Sequence, residues 1–414
     1  MTTHPRQSIY YWKCDRPAAF HGTHERTRDD ASVMAALSEV LRDAFSGSTV
    51  TLRPAASQGN HLTFIVTIDG HERFVRVEDG PESDDYLEVE SMVMTAVRGL
   101  GVSTPQILAV DASRRVVPFA WQVMEKVPFP DLNQHYKTGC LDLPVVAEKI
   151  GAAVATWQGL PVTGFGPFDP RALSLNPQQD SESRAGAVAG LCEAGPERRG
   201  EPPGPGWKPS GTGRGTAEIR HASGLAEPGY SQPLDGLQGF HAAYADYFHL
   251  NLDRHLCFLR DRGFLSNIEK QAMEAAVSRH HSLLELKTGC LVHKDLALWN
   301  ILGSETEIAA FIDFDDTIAG DPMDDLSLLA CFHEPPIIER ALEGYASVRA
   351  LPEHHERRLA LHLLRNMIVK AVIRVGAGYF DRTDGFFLIG TGGSGADLRT
   401  FTKERLATAL KALQ

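Results

Sequence analysis

Between Cys290 and Asp316 the chain alternates short apolar runs with polar clusters, and no other stretch restricts its fold so narrowly. CLV (290–292) and NILG (300–303) flank the polar loop HKDLALW, and IAAFID (308–313) is the next apolar run. Short apolar runs bounded by turn formers read as buried strands. The arrangement therefore predicts a small β island whose loops carry His293, Asp295, Asn300 and Asp313. Asp and Asn bond nearby backbone and are common in turns, so Asp295 and Asn300 by themselves describe only a turn. Asp313 changes that reading. It ends an apolar strand thirteen residues after Asn300, and neighbouring strand ends carrying all three side chains can converge on one point.

Phosphoryl transfer needs such a set. One carboxylate orients the attacking hydroxyl and takes its proton, while a carboxamide oxygen and a second carboxylate hold the metal that bridges the phosphates. Mg²⁺ prefers hard oxygen ligands and keeps several waters, so one Asn and one Asp suffice. In this reading Asp295 is the base and Asn300 and Asp313 are the metal ligands. His293 orients the loop through backbone hydrogen bonds.

The surrounding chain divides in two. After a helical run from Ala31 to Phe45, alternating stretches at 50–56, 62–68 and 72–78 are separated by SQGN and DGH, the pattern of an antiparallel meander. Residues 84–99 are helical by period, and QILAVD and AWQVMEKV add two strands. This gives an extension at 1–44 and a nucleotide-binding lobe at 45–127, with about five strands and one long helix. Residues 128–414 form a mainly helical catalytic and substrate-binding lobe around the β island. Within it, 174–228 is rich in Gly, Pro, Ser and charge and has no apolar period. It is expected to be a mobile insertion, ahead of a helix beginning near Leu237.

His293-Lys294-Asp295-Leu296-x-x-x-Asn300 matches the kinase catalytic-loop pattern, with Lys in place of Arg, and Asp313-Phe314-Asp315 stands where D-F-G would. Together with Ile312-Asp313-Phe314 and Gly320-Asp321-Pro322-Met323-Asp324-Asp325-Leu326, the sequence resembles the aminoglycoside phosphotransferase and choline-kinase-like family. LPVTGFGPFDP is similar to hygromycin phosphotransferase-like members. The resemblance implies an α+β, bilobal protein-kinase-like fold and an ATP- and Mg²⁺-dependent transfer of phosphate to a small-molecule hydroxyl. The same backbone geometry admits GTP.

Carried over residue by residue, it implies that Ser57, Gly59 and Asn60 cradle phosphates and that Arg76 replaces the usual strand lysine. Arginine keeps its charge and can fork onto phosphate oxygens. Glu90 is its helix partner and Glu88 the surface charge. Met124, Glu125 and Val127 flank the base. The acids Asp315, Asp316, Asp321, Asp324 and Glu334 are candidate contacts for a cationic acceptor, with helix capping and solvated charge the competing reading for Asp321, Asp324 and Asp325. Lys294 departs from the family, which places Gly after the His.

Composition narrows the partners. The 414 residues carry a formal charge of −12, which argues against a general nucleic-acid binder. No apolar run is long enough to span a membrane. The N-terminus lacks the apolar core of a signal peptide, so a cytoplasmic location is the expectation. The six cysteines show no metal-ligand rhythm and read as reduced thiols. Monomer and homodimer both stay open. Two other functions compete: a protein kinase, which would need a peptide-docking segment and an A-P-E motif that the sequence lacks, and a non-catalytic nucleotide-binding module, which would be expected to have lost Asp295, Asn300 or Asp313.

Overall fold

The computed structural model describes residues 4–16, 29–55, 61–173, 236–383 and 393–414. Five strands, β1 (Val50–Pro54), β2 (Leu62–Ile68), β3 (His71–Glu78), β4 (Ile107–Asp111) and β5 (Ala120–Glu125), form one antiparallel sheet in the order β1-β2-β3-β5-β4. The β2–β3 turn follows from two residues. Asp69 and Gly70 both take positive φ, 49° and 82°, and Ile68 pairs with His71. That is the two-residue hairpin loop whose twist suits antiparallel strands.

Alternation along the strands puts Phe64, Val66, Val75, Val77 and Val123 in one apolar cluster with Val33, Leu37 and Leu41 of the helix Asp30–Ala44. The helix Tyr86–Gly99 instead sends Val89, Val93, Met94 and Val97 into the main core, with Met124 and Ile107. It therefore bridges the sheet to the larger lobe.

Helices build that lobe. Leu143–Trp157 and Pro335–Val348 pack so tightly that a Cβ at Gly151 would lie 1.8 Å from Ala341 O, and one at Gly344 1.9 Å from Glu148 O. The 22-residue helix His355–Gly376 is buried on most of its surface, and Gly395–Ala412 packs along it. Among the described residues no helix is long and apolar enough to cross a membrane, and five cysteines are free thiols.

The β island is larger than the sequence suggests. Beside β6 (Phe165–Phe168), β7 (Gly239–His241), β8 (Cys290–Val292), β9 (Ile301–Gly303) and β10 (Ile308–Phe311) there is β11 (Ile318–Gly320). These make a four-stranded sheet β7-β6-β11-β8 and a β9–β10 pair. The helix expected near Leu237 is a correction: a strand at Gly239–His241 comes first, and helix starts at Tyr244. Strands of three or four residues are too short to display a period, so only their neighbours reveal them. The expected insertion at 174–228 lies outside the described residues.

Residues 5–16 depart most from expectation. They pack against both lobes. A 3₁₀ turn (Pro5–Ser8) and one helical turn (Trp12–Asp15) bury Ile9, Tyr10, Tyr11, Trp12 and Cys14.

Candidate active site

The polar loop leaves β8 and enters β9 through a 3₁₀ turn at Leu298–Asn300. Asp325, at the start of the helix Asp324–Ala330, holds it. The carboxylate accepts the backbone N–H of His293 and of Lys294, each at 3.0 Å, and Trp157 Nε1–H at 3.2 Å. Burial pushes the Asp325 carboxyl up to about 6 despite these donors. His293 Nδ1 accepts from Asp295 N (3.3 Å), so its Nε2–H is the donor to Ile312 O (2.9 Å). Both ring nitrogens are thus committed to backbone.

Lys294 occupies the left-handed region, φ 68°, where glycine is at ease and other residues are strained. Its side chain gives a reason for its presence. The buried ammonium donates to Asp324 Oδ2 (2.7 Å), Asn366 Oδ1 (3.1 Å) and Tyr10 Oη (2.9 Å). Asp324 also accepts from Asn366 Nδ2 (2.8 Å), and Asp321 pairs with Arg358. All three acids of this segment, Asp321, Asp324 and Asp325, are fully buried. Asp324 and Asp325 clamp the loop from beneath, Asp321 is taken up by Arg358 and by Met323 N, and none of the three is a solvated charge.

Asp295 is buried and accepts Tyr11 Oη–H at Oδ1 (2.8 Å), Lys13 Nζ at Oδ2 (2.6 Å) and Asn300 Nδ2 at Oδ2 (3.0 Å). Burial disfavours its charge, but the Lys13 and Lys370 cations and the Lys13 and Tyr11 hydrogen bonds win, holding its pKa below the usual value. Asn300 spends its amide nitrogen on Asp295, at the side chain and at the carbonyl (2.8 Å), which leaves its carboxamide oxygen as the atom to offer a cation. Ile312 N bonds Asn300 O (3.0 Å) and so draws Asp313 alongside. Asp313, also left-handed at φ 68°, accepts Arg76 Nη2 at 3.0 Å and has Lys13 Nζ at 3.5 Å. The Asp313 carboxylate and the Asn300 carboxamide oxygen are hard-oxygen donors of the kind that suits Mg²⁺.

From the sheet lobe, Arg76 on β3 pairs with the buried Glu90, and Glu90 Oε1 also accepts Phe314 N (3.1 Å). Burial raises the Glu90 carboxyl to about 7 although Arg76 opposes it. Glu88 is exposed. Asp315 faces His61 (3.0 Å) and lies 3.7 Å from Arg76. His61 also approaches Glu78 (3.3 Å). Burial and Arg76 work against a charge on His61, yet hydrogen bonds to Asp315 and Glu78 prevail and lift it to about 9. Asp316 lies 3.4 Å from Lys13. Burial and the Asp315 charge push its carboxyl up to about 7.

Met124 is buried in β5, Glu125 spends its N–H on Gln106 O (2.8 Å), and Val127 follows in the segment joining the lobes. Ser57, Gly59 and Asn60 lie outside the described residues. Glu334 pairs with Arg405 of the last helix instead of joining the carboxylates around Asp295.

Tyr11, Lys13, His61 and Lys370 escaped the sequence reading. The aromatic-rich IYYWKCD at 9–15 was the available signal, since a solvated tail has no use for so much apolar surface.

A model of the phosphotransferase enzyme family matches residues 51–201 and 217–360. No curated protein matches the chain. Among solved structures it is similar to a thermostable mutant of aminoglycoside phosphotransferase APH(4)-Ia in apo form, with 14% identity and a TM-score of 0.53 over 90% of this chain and 98% of that one. A ternary complex of a thermostable mutant of that enzyme with ADP and hygromycin B matches at 12% identity and TM-score 0.53, covering 91% and 98%. A candidate fructosamine-3-kinase from Thermobifida fusca YX-ER1 matches at 17% and 0.51, again covering 91% and 98%. At these identities the likeness establishes the fold, two lobes with the cleft between them.

Proposed function

The chain belongs to the phosphotransferase enzyme family, whose ATP- and Mg²⁺-dependent transfer of phosphate to a small-molecule hydroxyl is its activity, and we propose that Asp295 is the carboxylate that receives the proton of that hydroxyl. One observation carries this reading: Asp295, Asn300 and Asp313 meet on the cleft that Arg76 and Glu90 reach from the sheet lobe. Asp295 has fixed donors on each carboxylate oxygen, so it is oriented before an acceptor arrives. Its depressed pKa suits a loose transition state, which asks the base to orient the nucleophile and take the proton late.

Asn300 and Asp313 would hold Mg²⁺ through oxygen. Bound there, the ion supplies charge neutralisation between the phosphates during transfer. Arg76 is held by Glu90 with Nη2 turned toward Asp313, and from there its guanidinium can fork onto phosphate oxygens. His293 keeps the loop in register, and Asp325 fixes the two N–H groups before Asp295.

The acceptor we infer is a hydroxylated amine, an aminoglycoside-like antibiotic or an amino-alcohol or sugar-amine metabolite. Asp316 stands beside Asp295 and Asp313 around one ammonium, and such a group of acids favours a cation. The solved relative with hygromycin B in its complex supports the same class. A coupled assay of ADP release against hygromycin B, other aminoglycosides, fructosamines, choline and neutral sugars tests it. Stimulation by one or more of the amines is expected. Stimulation by neutral sugars alone would refute the amine requirement.

A further inference from the structure

Lys13 lies outside the residues that the family model matches, yet its ammonium stands between the two carboxylates of the cleft, 2.6 Å from Asp295 and 3.5 Å from Asp313. In phosphoryl transfer the migrating group moves in line from the leaving oxygen of the nucleotide to the attacking oxygen of the acceptor, and charge spreads over its equatorial oxygens. With Asp295 beside the attacking oxygen and Asp313 where it would hold the metal against the phosphates, an ammonium bridging both acids either touches that group or blocks it. We propose that Lys13 is a catalytic residue: it is donated by the N-terminal segment and contacts the transferring phosphoryl group. The inference rests on the roles given above to Asp295, Asn300 and Asp313.

The way the segment is held decides between contact and blockage. On one side of Lys13, Arg6 donates to the buried Asp84 (3.0 Å) and stacks on Tyr86 at 3.8 Å. Tyr10 is sandwiched: Tyr247 stacks at 4.9 Å, the Arg365 guanidinium lies 3.6 Å from the ring, and Tyr247 Oη donates to Tyr10 O (2.6 Å).

On the other side, Asp15 takes a hydrogen bond from His255 (2.6 Å) and one from Arg254 (2.6 Å). Cys14, Asp15 and His255 bring possible ligand atoms within 4.8 Å of one another, but they make a clamp and not a metal site. Arg365 donates to His255 Nδ1 (3.1 Å) and His255 Nε2–H donates to Asp15, so both ring nitrogens are committed.

The catalytic loop is itself adapted to the segment. Lys294 accepts a left-handed backbone and sends its ammonium to Tyr10. A removable plug would be tethered loosely and would leave a finished site behind. Removing this one would expose the buried Ile9, Tyr10, Tyr11 and Trp12 and take from Asp84, Tyr247 and His255 the hydrogen bonds they make to it. The backbone is therefore a fixed wall, while the four-carbon stem of Lys13 lets the ammonium follow the phosphates.

The test compares ground-state and transition-state ligands by calorimetry on the full chain: Mg²⁺ with AMP-PNP, and Mg²⁺ with ADP and aluminium fluoride. Lys13→Met should bind AMP-PNP within about threefold of the parent but lose on the order of 10²-fold for the aluminium fluoride complex, since the contact is made in the transition state. Lys13→Arg, which keeps the cation, should retain most of the affinity for the complex. Should Lys13→Met fail to fold, Lys13→Gln replaces it. Equal binding of the aluminium fluoride complex by Lys13→Met and the parent, or tighter binding of AMP-PNP by the variant, would overturn the proposal and make the lysine a bystander or a block. Asp313→Ala, measured alongside, separates the two levels. Unchanged Mg²⁺-dependent binding of AMP-PNP in that variant would overturn the site reading itself, whereas a silent Lys13→Met overturns only the role of Lys13.

Discussion

Lys294→Gly restores the residue that the family resemblance expects after the histidine, and two opposing effects set its cost. Glycine relieves the left-handed strain at φ 68°, about 1–2 kcal/mol, and loses roughly 0.5–1 kcal/mol of that through greater freedom in the unfolded chain. Against this, the substitution removes the ammonium that Asp324, Asn366 and Tyr10 share, with both Lys294 and Asp324 fully buried. Breaking a buried ion pair by deleting one partner costs about 3–5 kcal/mol. The pair wins, and the net loss should be about 1.5–5 kcal/mol. Urea unfolding followed by tryptophan fluorescence measures it as a lower midpoint at unchanged slope. Lys294→Met adds a check on the reasoning. It keeps the strain and loses the charge, so it should be the less stable of the two by up to about 1.5 kcal/mol. A Lys294→Gly protein as stable as the parent would show that strain, and not the ion pair, dominates at this position.

Two further perturbations follow from the same structure. His61 rises from 6.5 to about 9 on folding, so its ion pairs contribute fully below pH 6.5 and are lost as pH climbs through 9; the stability gap between the parent and His61→Gln should shrink across that window, and a gap constant from about pH 6 to 10 would contradict the assignment. Gly151→Ala places a methyl 1.8 Å from Ala341 O, and forcing the two helices apart should cost at least about 1–3 kcal/mol, read as a lower Tm; an unchanged Tm would mean that the helices separate freely.

The sequence made the cleft legible because its chemistry is local. Asp295 and Asn300 sit on one loop, Asp313 ends the adjoining strand, and the spacing alone brings them close. Arg76 and Glu90 were readable only through the family resemblance, which puts a cation on the third strand and its acid partner on the helix that follows. The burial along β3 shows no alternation that would single Arg76 out. What the sequence hid depends on contacts between distant residues. Tyr11 and Asp295 are 284 positions apart, and nothing in the period of IYYWKCD says which surface it covers. The buried acids Asp321, Asp324 and Asp325 looked like caps because each also precedes or begins a helix. Only the fold supplies Lys294, Arg358 and the loop N–H groups that bury them. The strands β6 and β7 were missed because they are too short for alternation to register.

The most direct test of the account is the turnover of Asp295→Asn. Asparagine keeps the shape beside Tyr11, Lys13 and Asn300 and removes the charge that would take the acceptor's proton. With an acceptor from the ADP-release panel, the variant should bind Mg²⁺ and AMP-PNP as the parent does while kcat falls by a factor on the order of 10² to 10⁴. Turnover equal to that of the parent, at equal nucleotide affinity, would contradict the assignment of Asp295 as the base.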